Sequence, residues 1–582
     1  MSYILCCGSH RVHSPERLAV LPFENLTSDA RIEWLGTASA AALVSDLTGL
    51  RQIYPFRTES VRSAYLGRAS EVLEANFEFV GDRLRVHASL ENLARHKMAR
   101  QFSLDGPARE GILPLVNQLA KDVAPEARTF STRDPAAFGS FGEGLSSADA
   151  STQARLLQTA SVQDPKFTAS YIHLSEAWLV AGDRADAAKA AAAGAQQAAN
   201  PVDRARLAYL SAVATGDPGR REQALVRLTQ VTPADPDVFR NLGQTHMLER
   251  KYGEAVGDYE AATRCDPADP ATFNQLGYAQ AFALDLNGAR QSLATYQKLA
   301  PEGDMNPIDS LGEVSFYLGD FPAAERYFLD AQRRDAGSRL NLGLVKAAQA
   351  RLMTGDRTGA NAIFNRYMDA GKNQDGVLNG YQRAQWEWIT GLRKQALNRM
   401  QHLLPTAHGD NAALLGAQLA IWNLQIGDRD AAARLAQDAA GAAVTPGARN
   451  LAALCGFLSA HEFHRSGNHV ADAYALLLVG RYGEAIAPLE VLYRETAPES
   501  DAQVRTMLAW AYSKAGRTRD AAGLVDIYPI PLTANESLFA SLMFPRFLQV
   551  RSVVFDLQGR REEAQRLMRL YREYLGDLPD KE

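Results

Sequence analysis

The 582-residue chain is 46% hydrophobic and 22% charged, with a net charge of −5. This is the composition of a folded globular protein, and it gives no global attraction to nucleic acid or an anionic membrane. Four cysteines at this length exclude a disulfide scaffold, no apolar run approaches the roughly 18 residues of a membrane span, and the length asks for several domains or an extended array.

Residues 1–15 read MSYILCCGSHRVHSP, with no basic segment before the apolar Tyr3 to Cys7, so they do not form a complete signal peptide. They are either a short leader or the remnant of a signal or anchor that begins upstream, with Cys6 or Cys7 as the lipid-bearing residue. From Glu16 the composition changes. RLAVLPF (17–23) is a buried strand ended by Pro22, and Thr27, Ser28 or Asp29 caps a helix starting near Ile32. Residues 34–50 form an Ala-rich helix with Leu35, Ala38, Ala42 and Leu43 on one face, and 52–56 form a second strand. Residues 71–90 form a hairpin around Gly81-Asp82, with Leu84, Val86 and Ala88 alternating beyond the turn. A further strand at 98–104 precedes a helix at 110–123 carrying Ile112, Leu115, Leu119 and Val123.

This β-α-β-β-β-α order resembles the TolB-like amino-terminal domain, related to the FlgO family. The resemblance rests on LAVLPFENLTSD (18–29), Gly36, Arg57-Thr58, Ala64-Tyr65-Leu66-Gly67 and GDRLRVHASL (81–90). Leu35 and Thr37 depart from the family's usual acidic and bulky apolar residues around Gly36. The segment between Gly67 and the hairpin is shorter than the family's, at the place of its second helix. The resemblance implies an interaction or assembly module without catalytic residues over residues 16–126. Residues 127–133, rich in Ser, Thr and Arg, then read as a linker.

From 134 to 582 the chain repeats. Its clearest stretch is 235–301, where Phe239 returns as Phe273, Leu242 as Leu276, Gly243 as Gly277 and Ala255 as Ala289. Pro233, Pro267 and Pro301 form a ladder at the same step of 34 residues. Each unit holds two apolar-periodic runs, helix A and helix B, and such a hairpin buries its apolar face only against neighbours. The pattern resembles the tetratricopeptide repeat, departing in this stretch where His246 stands for the usual Tyr. About eleven to thirteen hairpins are expected, several degenerate, with a turn Gly five residues before a small Ala surviving in most. Examples are Gly182 with Ala187, Gly319 with Ala324, Gly355 with Ala360, Gly516 with Ala521 and Gly559 with Ala564. The last helix, 560–575, carries Arg560, Arg561, Glu562, Glu563, Arg566, Arg569 and Arg572 on a polar face, as a capping repeat requires.

Catalytic signatures are missing from the sequence. There is no P-loop and no G-x-S-x-G elbow, and the Gly-rich GSFGEG (139–144) falls on a helix A position rather than after a strand. In HEFHRSGNH, His461 and His464 are three residues apart rather than the four of H-E-x-x-H, and His469 follows a Ser-Gly turn, so His461, His464 and His469 read as a polar loop. Cys265 and Cys455 read as buried thiols. No catalytic, cofactor or metal residue is therefore expected.

In the tetratricopeptide family the groove is lined by helix A. Carrying that register over gives Arg240, Gln244, Asn274, Tyr278, Phe282, Asp309, Glu313 and Tyr317, a mixed polar and aromatic set suited to protein contact. It lacks the Lys and Asn set with which some family members clamp a chaperone's C-terminal carboxylate. The expected fold is mainly α, a right-handed tetratricopeptide superhelical solenoid preceded by a small α/β (TolB-like) domain. The expected function is a non-catalytic bacterial scaffold that binds protein or peptide partners through its groove, with no cofactor and no nucleic acid. The alternative is a sensory or regulatory module acting with a separate transcription-regulator, cyclase or kinase domain. The periplasm or cell envelope is the compartment that the TolB resemblance and Cys6-Cys7 favour, and the cytoplasm is the alternative.

Overall fold

A computed structural model describes residues 14–334, 342–370, 376–460, 464–532 and 538–578. Cys6, Cys7 and His461 lie outside the described residues. The fold divides into two compact units. One takes the chain through Met247 together with Gly253–Phe273, and the other takes Leu248–Tyr252 and everything from Asn274 onward. Among the described residues, no helix is long and apolar enough to cross a membrane.

The first unit opens with β1 (Glu16–Val20), β2 (Glu24–Asn25), α1 (Trp34–Leu47), β3 (Ile53–Arg57), α2 (Val61–Leu66), β4 (Glu71–Val80), β5 (Arg83–Asn92), β6 (Lys97–Pro107) and α3 (Leu113–Val123). The sheet order is β3-β1-β4-β5-β6, with β2 beside β4. β1 runs parallel to β3 and β4, whereas β4, β5 and β6 are antiparallel neighbours. The central strand follows from its apolar run, since Leu18, Ala19 and Val20 are all buried. In β5, Leu84, Val86, Ala88 and Leu90 face the core while Arg83, Arg85 and His87 face solvent. Gly81 supplies the positive φ, 63°, at the first position of the two-residue hairpin turn. Asp29 caps a short 3-10 turn, Ala30–Ile32, rather than α1 itself. The segment before Gly67 holds a helix, α2, of only six residues.

Helices α4 (Pro135–Ser146), α5 (Ala150–Gln163), α6 (Thr168–Val180), α7 (Arg184–Gln197), α8 (Pro201–Thr215), α9 (Pro218–Val231), α10 (Pro236–Leu248) and α11 (Tyr252–Cys265) follow, and α4 to α9 pack in consecutive pairs. α1 is buried on more than the one face expected, because the sheet covers one side and α4 the other. This explains its alanines, and it also explains GSFGEG. A Cβ on Gly142 would lie 2.3 Å from the Trp34 ring and 3.0 Å from the Ala38 Cβ, and one on Gly144 would lie 3.1 Å from Leu157. The glycines of this motif are therefore contact points for helix packing. The stretch 127–133 forms neither helix nor strand, yet it is fixed. Phe130 packs 5.4 Å from Phe167, and Arg128 bonds Asn200 at 2.8 Å and the main chain of Ser45.

The second unit continues the pairing. Its helices are α12 (Pro270–Phe282, entered at Asn274), α13 (Leu286–Leu299), α14 (Asn306–Tyr317), α15 (Phe321–Arg334), α16 (Leu342–Met353), α17 (Arg357–Ala370), α18 (Gly376–Ile389) and α19 (Arg393–Leu403). Then come α20 (Gly409–Gln425), α21 (Arg429–Ala442), α22 (Pro446–Ser459), α23 (His469–Leu478), α24 (Tyr482–Glu495), α25 (Ala502–Lys514), α26 (Ala540–Met543), α27 (Arg546–Leu557) and α28 (Arg561–Leu575). The core is continuous from Phe316 to Tyr574, with Trp388 stacked on Trp422 at 4.3 Å. The expected hairpin at Gly516 and Ala521 lacks its second helix. Its place is taken by a 3-10 turn, Ala522–Leu524, and irregular chain. Pro529 and Pro531 in VDIYPIP remove two amide donors and disfavour helical conformation in the residues before them.

The turn glycines behave as the spacing implies. Gly182, Gly319, Gly355, Gly391, Gly427, Gly480, Gly516 and Gly559 all have positive φ, and the alanines five residues on are buried. In the two most regular repeats the same left-handed position is filled by Arg250 (φ 59°) and Leu284 (φ 66°). Arg250 is held by Asp501 at 2.9 Å and by the Tyr493 ring at 3.7 Å. Leu284 is 51% exposed and has no such anchoring group among the contacts described. A left-handed non-glycine residue costs roughly 1–2 kcal/mol, against the extra unfolded-state entropy of glycine. Leu284→Gly is therefore expected to leave the midpoint of thermal unfolding unchanged or raise it by up to ~1 kcal/mol equivalent. A loss of about 1 kcal/mol, the usual result of glycine inside a helix, would contradict this.

Candidate interaction surfaces

In the first unit, acidic residues collect where each A helix starts. Proline at the first helical position presets the turn, and aspartates around it satisfy the free amides. Asn200 caps α8, and Asp235 Oδ1 accepts from the Asp237 amide at 2.9 Å to cap α10. Asp266 and Asp269 stand before Pro270. The α/β block meets this row with cations and a phenol. Arg68 Nη2 lies 2.9 Å from Asp266 and 3.3 Å from Asp269, and Arg17 Nη1 lies 3.3 Å from Asp266. Tyr54 Oη donates to Asp237 at 2.9 Å, and Arg128 Nη1 lies 3.3 Å from Asp203. Burial pushes the Asp269 carboxyl up, but the Thr272 hydroxyl and the guanidiniums of Arg68 and Arg240 outweigh it and leave it below the usual range. Asp235 goes the other way, because burial and the neighbouring Asp237 raise it to about 6.

Beside this seam is a cavity of about 330 Å³. Leu50, Ile53 and Tyr54 line its block side, and Leu225, Leu228, Val238, Arg206 and Glu176 line its repeat side. Burial raises Glu176, but His173 at 2.9 Å and Arg206 at 3.3 Å reverse the effect and hold it at about 2.

Of the groove residues expected from sequence, Arg240 and Gln244 fall in this unit. Arg240 is engaged by Asp269 at 2.5 Å and by Asp237, whereas Gln244 is exposed one turn on. The other six fall in the second unit, where all but Asn274 join two contact sets. Tyr278 Oη donates to Glu313 at 2.5 Å, and Lys346 lies 2.6 Å from Asp309 and 2.7 Å from Glu313. Phe282 is buried, 5.2 Å from the Tyr252 ring and 6.3 Å from the Tyr317 ring. Asn274 is half-buried. Lys346 escaped sequence reading because it lies on α16, one repeat beyond the set.

Further along the second unit, helix A positions are covered by the chain itself. The Tyr528 amide donates to the Tyr317 carbonyl at 2.9 Å. Gln349 holds the Leu532 main chain from both sides, donating to its carbonyl at 2.6 Å and accepting from its amide at 2.5 Å. Gln418 donates to the Leu538 carbonyl at 3.2 Å, and Gln425 to that of Ser541 at 2.9 Å. All three glutamines are buried. Around Tyr317 and Gln349 that part of the face carries the chain's own Tyr528 and Leu532. Sequence reading missed the three glutamines, and nothing in their spacing distinguishes them.

The remaining motifs are quieter. His464 and His469 are exposed around a turn at Gly467 (φ 79°). Burial pushes the thiols of Cys265 and Cys455 up to about 11 and about 12, so they stay protonated at neutral pH.

No protein-family model matches the chain. No curated protein matches it either. Similar solved structures include PilF of Pseudomonas aeruginosa, 17% identical with a TM-score of 0.29, covering 35% of this chain and 93% of that one. A tetratricopeptide repeat protein from Parabacteroides merdae is 13% identical with a TM-score of 0.32, covering 49% and 98%. YrrB, a TPR protein with an unusual peptide-binding site, is 17% identical with a TM-score of 0.25, covering 32% and 92%. TM-scores this low carry no argument. The chain's own consecutive helix pairs are those of a tetratricopeptide-type solenoid, with a small amino-terminal sheet.

The raised Asp235 carboxyl carries a stability consequence. Its folded pKa of about 6 lies above the unfolded value near 3.9, so its contribution favours folding at low pH and is lost as pH rises toward 6. Asp235→Asn keeps a capping oxygen and removes the buried charge. Thermal unfolding is expected to show stabilisation of at least about 1 kcal/mol at pH 7, shrinking toward pH 4.5. An equal effect at both pH values would contradict the assignment.

Proposed function

We propose that the chain is a non-catalytic bacterial interaction scaffold. In this reading a TolB-like block (16–126) and a connecting stretch (127–133) precede a tetratricopeptide array (134–582) that binds protein or peptide partners by helix A residues. The observation that carries it is the ladder of Tyr278, Asp309, Glu313 and Lys346. These side chains are half-buried, mutually bonded and drawn from three successive A helices, with a cavity of about 260 Å³ beside Asp309 and Lys346. Pre-ordered polar groups of this kind recognise a partner at low entropic cost. Two carboxylates against one ammonium favour a peptide that presents a Lys or Arg side chain. No catalytic residue is assigned and no nucleic-acid partner is proposed.

Affinity capture with the full chain tests this against a Tyr278→Ala, Glu313→Lys variant that unfolds at the same temperature. The expected result is a protein partner retained by the parent chain and weakened at least tenfold by the double substitution. A partner held equally by both would move recognition away from these helices. Recovery of a transcription regulator, cyclase or kinase would favour a regulatory role for the same surface.

A further inference from the structure

We infer that Glu222, His246 and Glu254 form a binding site for one divalent transition-metal ion of the zinc class, with Asp258 orienting the imidazole. The site lies within the first unit, and no step of the scaffold reading uses it.

The argument begins with the one position where the most regular repeat departs from its pattern. His246 follows Leu242-Gly243 on α10, where the repeat ordinarily places a tyrosine. Its side chain is only 7% exposed. Nδ1 lies 2.5 Å from Asp258 Oδ2 on α11. A carboxylate only accepts, so this contact places a proton on Nδ1 and turns Nε2 to the other side. Histidines that bind metals are oriented in this way, with the far ring nitrogen donating to a carboxylate.

Nε2 points between two more carboxylates, Glu222 Oε1 of α9 at 3.2 Å and Glu254 Oε2 of α11 at 3.5 Å. One ligand atom from each of the three residues lies within 4.8 Å of the others. An Nε2 lone pair aimed at two carboxylates is repulsive unless a cation lies between them, either a second proton or a metal. Bonds of about 2.0–2.2 Å at tetrahedral angles put neighbouring ligand atoms about 3.4 Å apart, close to both distances from Nε2.

A mixed nitrogen and oxygen set suits zinc, cobalt or manganese better than calcium or magnesium, which prefer oxygen alone. Glu254 is 63% exposed, so a fourth position opens to water. The three ligands come from α9, α10 and α11, and the ion would tie these helices together.

The test uses full-length protein stripped of metal and dialysed against zinc, with bound metal counted by mass spectrometry. Cobalt substitution reports geometry through its visible bands. His246→Tyr restores the usual repeat residue and so keeps the packing, and Glu222→Gln is the second variant should the first not fold. The inference expects one zinc per chain more in the parent than in either variant. It also expects tetrahedral cobalt bands that disappear with the same substitutions, and a 10–100-fold weaker affinity in Asp258→Asn. Equal zinc content in parent and variants would overturn it, placing any bound metal elsewhere, for instance on His461, His464 and His469. No zinc in any of them would overturn it too, leaving His246 hydrogen-bonded between Asp258 and Glu222.

Discussion

The first unit depends on one buried carboxylate. Asp266 is 2% exposed at its side chain and stands between Arg17 and Arg68. A carboxylate so far from water is tolerated only when it is paired and hydrogen-bonded. Its two partners come from distant parts of the block. Arg17 lies on β1, over the rings of Tyr54 and Phe56 on β3, and donates to the carbonyls of Gly67 and Arg68. Arg68 follows α2 with φ of 57°, a backbone conformation that arginine adopts at some cost. One charge thus fixes the register of two strands, the loop after α2 and the start of α12. Arg128, Tyr54 and Arg240 extend the same logic to Asp203, Asp237 and Asp269. The block is part of the packed unit rather than a tethered module, and it uses the amino-terminal ends of the A helices, where carboxylates are at home.

The second unit covers its helix A face by different chemistry. Gln349, Gln418 and Gln425 are neutral, buried and bonded to main-chain atoms of Leu532, Leu538 and Ser541. Amide groups satisfy main-chain atoms without the desolvation cost of charge. Pro529 and Pro531 disfavour helix in the residues before them, and Tyr528, Leu532 and Phe539 join the core. The charged ladder of Tyr278, Asp309, Glu313 and Lys346 lies on earlier A helices of the same unit.

The repeat was legible because its signals are local. A step of 34 residues, a glycine in the turn and a buried alanine five residues later survive drift in the aromatics, since each answers a steric demand within one hairpin. The strands and helices of the block were legible for the same reason, from β5 alternation and the apolar β1. What escaped was non-local. Nothing near Asp266 in sequence announces Arg17 or Arg68. The glycines of 139–144 were placed on a helix A position, but nothing in the sequence showed Trp34 against Gly142. Arg250 and Leu284 broke the glycine rule in the very repeats that defined it. The hairpin at Gly516 was over-read, because its Gly–Ala spacing persists while VDIYPIP abolishes the second helix. Of the candidate site, the register named Tyr278, Asp309 and Glu313, which contact one another, whereas Lys346 and the three glutamines carry no local signal.

The most direct measurement is hydrogen–deuterium exchange on full-length protein carrying Arg17→Ala and Arg68→Ala. Removing both cations leaves Asp266 buried and unpaired, a change worth about 3–5 kcal/mol in other buried pairs. The account predicts that protection falls together in β1, β3 and the A-helix starts around residues 235–240 and 266–272. Loss of protection confined to the block, with the repeat helices exchanging as in the parent chain, would contradict the claim that block and repeats fold as one unit.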